Sequence, residues 1–359
     1  MAAGFKTATV NGSDVAATLT NYPTYVDLSR LGVTTLAEAE SVRVYADSGK
    51  TTEWSREIVS VTEMHVKVPS LTSSTEIFVD WDGVRSDYGV TTTYGRNAVW
   101  SDYEAVYHLL ESGSGVSGEY IDSTGSHNAQ GGGGAGTQVP SSVAAKIGNG
   151  QEFDGSNDWI DLNEDTAFEN GTGAITVSAW AKTNRDSSQN NGGMAIASKQ
   201  GSSPFPGWAL SFSMGTSAAD RGKIRFLIDG GSVSVSTQST TQYNDNVFHF
   251  FAGVRNGGTV LVYADGLVKD TSTGASSLNM DAARNAVIGA NSVAVSVDQM
   301  DGIIDEFRFR KEALSADWLL TEYNNQNAES TFWGTWTDAG GGGGGGAAQT
   351  ARRGVVMMM

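Results

Sequence analysis

Short runs in which apolar and polar residues alternate, each closed by a turn, recur along almost the whole chain. Such a run is typical of a strand with one buried face. Asn-Gly and Asp-Gly pairs, as at 229–230, 256–257 and 265–266, separate successive runs and favour antiparallel hairpins. The pattern therefore predicts an all-β fold. The runs occupy residues 42–45, 64–68, 76–81, 175–180, 208–214, 224–228, 247–254, 259–263 and 303–309.

The spacing of the runs divides the 359 residues into two β-sandwich domains and a tail. Residues 1–95 are predicted to form a small β-sandwich, and residues 99–328 a larger jelly roll. One short helix is expected near 316–325, because Ser315 can cap its first turn. Residues 329–359, which include seven consecutive glycines, are predicted to form a glycine-rich tail.

Composition excludes several classes of function. Lys plus Arg number 23 and Asp plus Glu 40, so the net charge of −17 argues against nucleic acid or an anionic membrane as the main partner. The absence of cysteine excludes disulfides, cysteine-bound zinc and a cysteine nucleophile. The apolar runs are only strand-length, so no membrane span is predicted, and the N-terminal residues do not show the pattern of an export signal.

Four stretches, at 104–129, 148–162, 248–266 and 301–326, occur in an order that resembles a known family. They include an early Phe-Asp-Gly turn and a late Gly-x-Ile-Asp-Glu strand. Together they resemble the LamG-like branch of the concanavalin A-like lectin/glucanase superfamily. The resemblance implies a jelly roll of two curved antiparallel sheets in a family whose members mostly bind glycans or proteins and sometimes hold a structural calcium ion.

The N-terminal domain has a resemblance of its own. Residues 4–95, together with 322–334, are similar to a domain of unknown function that often precedes LamG-like domains in bacterial and phage proteins. This similarity implies no activity.

A catalytic function is not predicted. Glycoside hydrolases of this sandwich need two carboxylates about 5 Å apart on one strand face. Asp305 and Glu306 are consecutive, so strict alternation would place them on opposite faces of the sheet. None of the four histidines, at positions 65, 108, 127 and 249, lies near a serine elbow.

Asp305 is a candidate ligand for a structural calcium ion. Alternation predicts that it shares a face with Phe307 and Phe309, and a buried carboxylate needs partners. Asp154 and Asp158 could complete a calcium site with it, which the resemblance permits. Alternatively, a bulge re-aims Asp305, and Asp154 and Asp158 serve only as turn-formers. The sequence leaves both interpretations open.

Two polar loops are candidates for a ligand surface. Sugar binding generally combines an aromatic platform with amide groups, carried on loops at one end of a sandwich. Residues 184–193 are rich in Asn, Gln and Ser, and residues 201–208 carry two aromatic side chains. The predicted ligand-binding residues are Phe205, Trp208, Asn190 and Asn191.

These observations lead to one principal hypothesis and two alternatives. The first is a non-catalytic virion protein assembled in the host cytoplasm, either a phage appendage or a capsid-decorating protein, whose lectin-like module adheres to host-surface glycans. Residues 340–359 would contact other virion proteins or further copies of the chain. A bacterial cell-surface or secreted carbohydrate-binding module is the alternative, and an endoglycanase is disfavoured by the carboxylate spacing.

Overall fold

The N-terminal part of the chain forms a small antiparallel sandwich. The computed structural model describes residues 3–163, 166–188, 192–201, 203–292 and 297–340. Short helices α1 (Leu36–Glu40) and α2 (Arg96–Val99) flank the strands. The strands are β1 (Gly4–Thr9), β2 (Leu19–Asp27), β3 (Arg43–Tyr45), β4 (Glu53–Trp54), β5 (Arg56–Ile58), β6 (Glu63–Leu71) and β7 (Glu76–Trp81).

The larger sandwich follows, and the predicted all-β class is confirmed. Its strands are β8 (Ala105–Tyr107), β9 (Gln130–Gly131), β10 (Ser141–Ala144), β11 (Asn149–Asp154), β12 (Ile160–Asp161), β13 (Ile175–Lys182), β14 (Gly193–Gln200), β15 (Gly207–Ser213), β16 (Lys223–Asp229), β17 (Ser234–Gln242), β18 (His249–Asn256), β19 (Thr259–Ala264), β20 (Leu267–Thr273), β21 (Val287–Ile288) and β22 (Asp301–Arg310). Helices α3 (Ala316–Asn327) and α4 (Glu329–Phe332) and strand β23 (Thr337–Asp338) complete the chain. No helix in the described ranges is long and apolar enough to cross a bilayer.

Among the described residues, strand pairing gives four sheets. In the small sandwich the orders are β23-β1-β7-β3-β4 and β2-β6-β5. In the jelly roll, sheet I has the order β10-β11-β22-β13-β18-β19-β20, with β8 also paired to β22, and sheet II has the order β17-β16-β15-β14-β21-β12-β9. The predicted hairpins after Asp229, Asn256 and Asp265 are confirmed by the antiparallel pairs β16–β17, β18–β19 and β19–β20.

The jelly-roll core lies between sheets I and II. In β16 the residues alternate strictly, so that Ile224, Phe226 and Ile228 are buried while their neighbours are partly exposed. Phe226 packs directly on Gly253 of β18, where any side chain would overlap the ring. Phe251 meets Phe212 edge-on, with ring centroids 5.2 Å apart. The inner faces therefore interdigitate without spare volume at Gly253.

The outer face of sheet I is buried too, because the small sandwich and α3 cover it. Trp180 and Phe250 project from this face into a second core, which also contains Trp318 of α3. Trp318 packs on Tyr22 of β2, with ring centroids 5.0 Å apart. Helix α3 begins after Ser315, whose side chain accepts a hydrogen bond from the Trp318 N–H at 3.1 Å, so the predicted helix is confirmed.

The chain returns to the small sandwich after α3. The segment 329–340, which the sequence assigns to the tail, contains α4 and β23. Phe332 and Trp333 are fully buried, and the Trp333 indole donates to the Tyr25 carbonyl at 3.1 Å. In β23, Asp338 pairs with Lys6 of β1. Residues 341–359, which hold most of the glycine run, lie outside the described residues.

The contact between Gly253 and Phe226 generates a stability prediction. Gly253→Ala should lower the free energy of unfolding by about 1–3 kcal/mol, because the added methyl group must displace a core ring. Urea unfolding would measure this loss. Gly215→Ala is the matched control, since its Cβ would meet no described atom within 4 Å, and it should leave the midpoint nearly unchanged. Equal midpoints for the two variants would show that the inner faces are not closely packed.

Candidate functional site

A groove of about 410 Å³ lies on the outer face of sheet II. Its floor consists of small side chains from the two central strands, namely Ala195, Ser198, Ala209 and Ser211. The strand register sets these residues side by side, since Ser211 pairs with Ala195 and Ala209 pairs with Ser198. Because outward residues of adjacent strands line up in rows, small side chains at these positions leave a trough between larger neighbours.

Larger polar and aromatic side chains form the walls of the groove. Strand β16 contributes one wall, where Arg225 lies opposite Ser211 in the register. On the other side the Asn291 amide donates to Asp298 Oδ2 at 2.9 Å. The wall residues are Gln200, Phe205, Arg225, Leu227, Asp229, Asn291, Val297 and Asp298.

Two polar groups in the groove have unused hydrogen-bonding capacity. Ser211 is only 4% exposed, and its Oγ has no partner among the described residues. The Arg225 Nε is likewise buried and unpartnered there. Burial lowers the pKa of the Arg225 guanidinium, and the charge of Asp298 partly opposes this shift. Since buried polar groups in proteins are normally paired, these two are free to bond a ligand.

Asp229 marks one end of the groove. Its Oδ1 accepts the Gly231 N–H at 2.7 Å. Burial raises the pKa of the Asp229 carboxyl, while the bond from Gly231 acts in the opposite direction. The carboxylate is thus a hydrogen-bond acceptor whose position is fixed by the β16–β17 turn.

Phe205, predicted from the sequence as a ligand contact, lies on the wall of this groove. It is 44% exposed, a large apolar side chain left facing solvent. Its φ of +68° is in the left-handed region, which bulky residues rarely adopt. Strained residues of this kind cluster at ligand sites, where the surrounding structure holds them in place.

Trp208 is not at the ligand surface that the sequence predicts for it. The side chain is fully buried, stacks on Phe309 with centroids 5.4 Å apart, and donates from Nε1 to the Phe168 carbonyl at 3.0 Å. Alternation in β15 explains this, because Trp208 shares the inner face with Leu210 and Phe212. Asn190 and Asn191, the other predicted contacts, lie outside the described residues.

The three aspartates predicted to bind calcium do not converge. Asp154 Oδ1 accepts the N–H groups of Ser156 and Asn157 at 2.8 and 3.0 Å, and Asp158 Oδ2 accepts the Asp154 N–H at 3.0 Å. Asp154 pairs in register with Asp301, so Asp305 lies four residues, or about 13 Å, further along β22. Asp154 and Asp158 therefore shape a turn, as the alternative interpretation has it.

A bulge in β22 gives Asp305 and Glu306 orientations that differ from the predicted ones. Glu306 has a φ of +53°, and the pairing with β13 shifts register at this point. Phe307 and Phe309 still face the jelly-roll core, but Asp305 lies on the outer face, where its Oδ2 accepts the Ile147 N–H at 2.8 Å. Both acids consequently lie beneath the small sandwich and are buried, not split across the sheet.

The same interface holds ionisable residues that the sequence interpretation missed. The sequence places His65 within an alternating run, which predicts only an ordinary strand position, and it indicates no role for His108. In β6, however, Met64 and Val66 enter the apolar core while Glu63 and His65 occupy the alternate positions and are buried as well. A strand with both faces buried and charges on one of them is the signal that could have identified this cluster.

Comparison with known families identifies the jelly roll. Residues 154–319 match the family model described as the concanavalin A-like lectin/glucanases superfamily. The resemblance is confirmed over these residues. No curated protein matches the sequence.

Several solved structures are similar to part of the chain. Domain 4 of a GH43 extracellular arabinanase from Geobacillus stearothermophilus, in complex with arabinotriose, is 18% identical with a TM-score of 0.45, over 61% of this chain and 97% of that one. The ligand-binding domain of botulinum neurotoxin serotype D, in complex with N-acetylneuraminic acid, is 18% identical with a TM-score of 0.46, over 65% and 53%. The binding domain of paraclostridial mosquitocidal protein 1 is 12% identical with a TM-score of 0.44, over 60% and 52%. This chain thus spans about half the length of the two toxin domains.

The contrast between Trp208 and Phe205 can be measured. Trp208→Ala should cost about 3–5 kcal/mol of stability, since it empties a closely packed core position. Phe205→Ala, which removes an exposed ring, should change stability by no more than about 0.5 kcal/mol. Thermal and urea unfolding of the two variants would test the assignment. A stable Trp208→Ala variant would contradict the buried position.

Proposed function

We propose that the groove on sheet II binds carbohydrate and that the chain acts as a lectin-like, non-catalytic adhesion module. The observation that carries this proposal is the half-exposed Phe205 ring beside the Ser211 hydroxyl and the Arg225 Nε, which have no hydrogen-bond partner among the described residues. A ring and buried hydrogen-bonding groups in one trough suit a ligand that has apolar C–H faces and a periphery of hydroxyl groups.

The chemistry of the walls supports a sugar over a purely apolar ligand. Asp229 accepts hydrogen bonds, Arg225 donates them, and the side chains of Gln200 and Asn291 can do both. Such groups, few in number and fixed in position, orient a ligand within a pocket of several hundred Å³. A sugar hydroxyl can donate and accept at once, so it can satisfy both kinds of group.

We further propose that the module works on the surface of a phage particle, where it adheres to glycans of the host cell. The similarity of residues 4–95 to a domain that precedes LamG-like domains in bacterial and phage proteins supports this setting, as does the absence of cysteine. The alternative is a bacterial cell-surface or secreted carbohydrate-binding module. Electron microscopy of particles labelled with an antibody against the chain would distinguish the two settings.

Binding should depend on the groove and not on exposed apolar residues elsewhere. On a glycan array, Phe205→Ala should weaken binding about tenfold, or ~1.4 kcal/mol, through the loss of ring stacking. Arg225→Gln should weaken it at least as much, because a hydrogen bond from a charged donor is lost. Leu267→Ala, an exposed apolar residue on β20 of the other sheet, is the control and should bind normally. Equal binding by all three variants would overturn the assignment of the site.

The module should bind polysaccharide without cleaving it. Incubation with a panel of β-glucans and agarose should release no new reducing ends. Two single variants, Asp229→Asn and Asp298→Asn, serve as controls, because these residues supply the carboxylates of the groove. Cleavage by the native chain that disappears in either variant would replace the binding proposal with a glycosidase.

A further inference from the structure

A second constellation of polar side chains lies on the opposite side of the jelly roll, where the small sandwich covers sheet I. Glu63 and His65 come from β6, His108 directly follows β8, and Glu306 occupies the bulge of β22. Each of the four is at most 4% exposed. The cluster therefore joins two domains through groups that are normally expensive to bury.

One donor atom from each of these four residues lies within 4.8 Å of the others. His108 Nδ1 is 2.5 Å from Glu306 Oε1 and 3.4 Å from Glu63 Oε1. His65 Nε2 is 3.2 Å from Glu63 Oε1 and 3.9 Å from Glu306 Oε2. In the part of the chain that the structure describes, no other group of three or more His, Asp or Glu donors converges in this way.

A second layer of side chains fixes the orientation of His108. Its Nε2 lies 3.1 Å from Glu57 Oε2, and Glu57 is held in turn by the Ser123 hydroxyl at 2.7 Å and by the Trp100 indole. With the Nε2 proton donated to Glu57, the lone pair of Nδ1 is directed at Glu306 and Glu63. A carboxylate behind a histidine is the usual outer partner of a metal ligand.

Arg308 orients the Glu306 carboxylate in the same manner. Its guanidinium donates to Glu306 Oε2 at 2.6 Å and to Glu322 Oε1 at 2.8 Å. Oε1 of Glu306 is left facing His108. The ring nitrogen His65 Nδ1 is buried without a partner among the described residues.

Buried carboxyl groups crowd around this cluster. Arg308 is the buried guanidinium of the cluster, and the two imidazoles can add charge only by taking up protons. Buried carboxylates are tolerated when they are paired or when they coordinate a metal. The buried carboxyl groups around Arg308 and the two imidazoles are those of Glu57, Glu63, Asp305, Glu306 and Glu322.

We propose that Glu63, His65, His108 and Glu306 bind one divalent transition-metal ion of the zinc class, which joins the small sandwich to the jelly roll. Two imidazole nitrogens and two carboxylate oxygens suit zinc, whereas calcium takes six to eight oxygen ligands. At bond lengths of 2.0–2.1 Å, tetrahedral donors lie about 3.4 Å apart. The separations of 3.4 and 3.2 Å are close to this value, the contact of 2.5 Å would open by about 0.9 Å, and the separation of 3.9 Å would close by about 0.5 Å.

The surroundings indicate both a route for the ion and its role. A cavity of about 340 Å³ at the domain junction is lined by His108 and Glu57, and it also touches Arg56, Asp87 and Glu111. This cavity gives an ion access to the His108 side chain. Four protein ligands leave no open coordination position, which is characteristic of a structural and not a catalytic site. The ion would stabilise the docking of the two domains.

The test uses the full chain, stripped with a chelator and then titrated with zinc alone. One equivalent of zinc should bind and survive dialysis, and it should raise Tm by several degrees, while calcium and magnesium should produce no shift. Cobalt in place of zinc should give the intense visible absorption of a tetrahedral site. Failure to bind zinc, or equal stabilisation by calcium, would overturn the proposal.

Matched variants locate the ion. His108→Gln and Glu63→Gln should each weaken zinc binding at least a hundredfold, and Glu57→Gln, which alters only the outer partner, ten- to a hundredfold. His249→Gln, a histidine between Asp245 and Asp265 on the far part of sheet I, should bind zinc normally. Circular dichroism first establishes that each variant is folded. If His108→Gln does not fold, Glu63→Gln provides the test of the site. Zinc binding lost in His249→Gln but retained in Glu63→Gln would refute the site.

Discussion

Sheet I is buried on both of its faces, and the arrangement of the whole chain depends on this. In β13, β18 and β22 nearly every residue is buried, whereas a sandwich sheet with one face in water alternates between buried and exposed. The inner face contributes to the jelly-roll core, and the outer face carries Trp180 and Phe250, which would expose a large apolar surface if left uncovered. The small sandwich and α3 therefore serve as a cover for the jelly roll.

Ionisable side chains are also buried between the small sandwich and sheet I, and they constrain how the two sandwiches fit together. The left-handed conformation of Glu306 turns it and Asp305 to the same side of β22, where both are buried away from the surface. Charged groups in such a place are stable only when hydrogen bonds and opposite charges compensate the loss of solvent. Arg308 and the N–H of Ile147 supply such partners, and His108 faces Glu306 from a third part of the chain. A shift in the docking of the domains would leave several of them unpaired, so the polar cluster specifies one arrangement.

Sheet II is built differently. Its outer face carries the groove, and its central strands β14 and β15 place small, buried side chains where sheet I carries tryptophan and phenylalanine. The groove proposed to bind ligand and the interface with the small sandwich thus lie on opposite sides of one jelly roll. Because the core between them is closely packed, the groove rests on a rigid floor, which would limit the entropy lost on binding.

The sequence by itself determined the features that depend on neighbouring residues. Alternation identified the long strands, Asn-Gly and Asp-Gly pairs identified the hairpins, and Ser315 marked the beginning of α3. Alternation also places Trp208 on the same face as Leu210 and Phe212, which is the core face and excludes it from an exposed ligand platform.

Only the tertiary structure decided which polar residues meet. The bulge at Glu306 reverses the expected faces of Asp305 and Glu306 because one left-handed residue breaks the period of two. His65 and His108 are 43 positions apart, yet their rings stack with centroids 4.6 Å apart once the small sandwich docks on sheet I. Local periodicity reports which face a side chain occupies, but the partner across that face is fixed by burial energy summed over the whole interface, and no single run of residues encodes it.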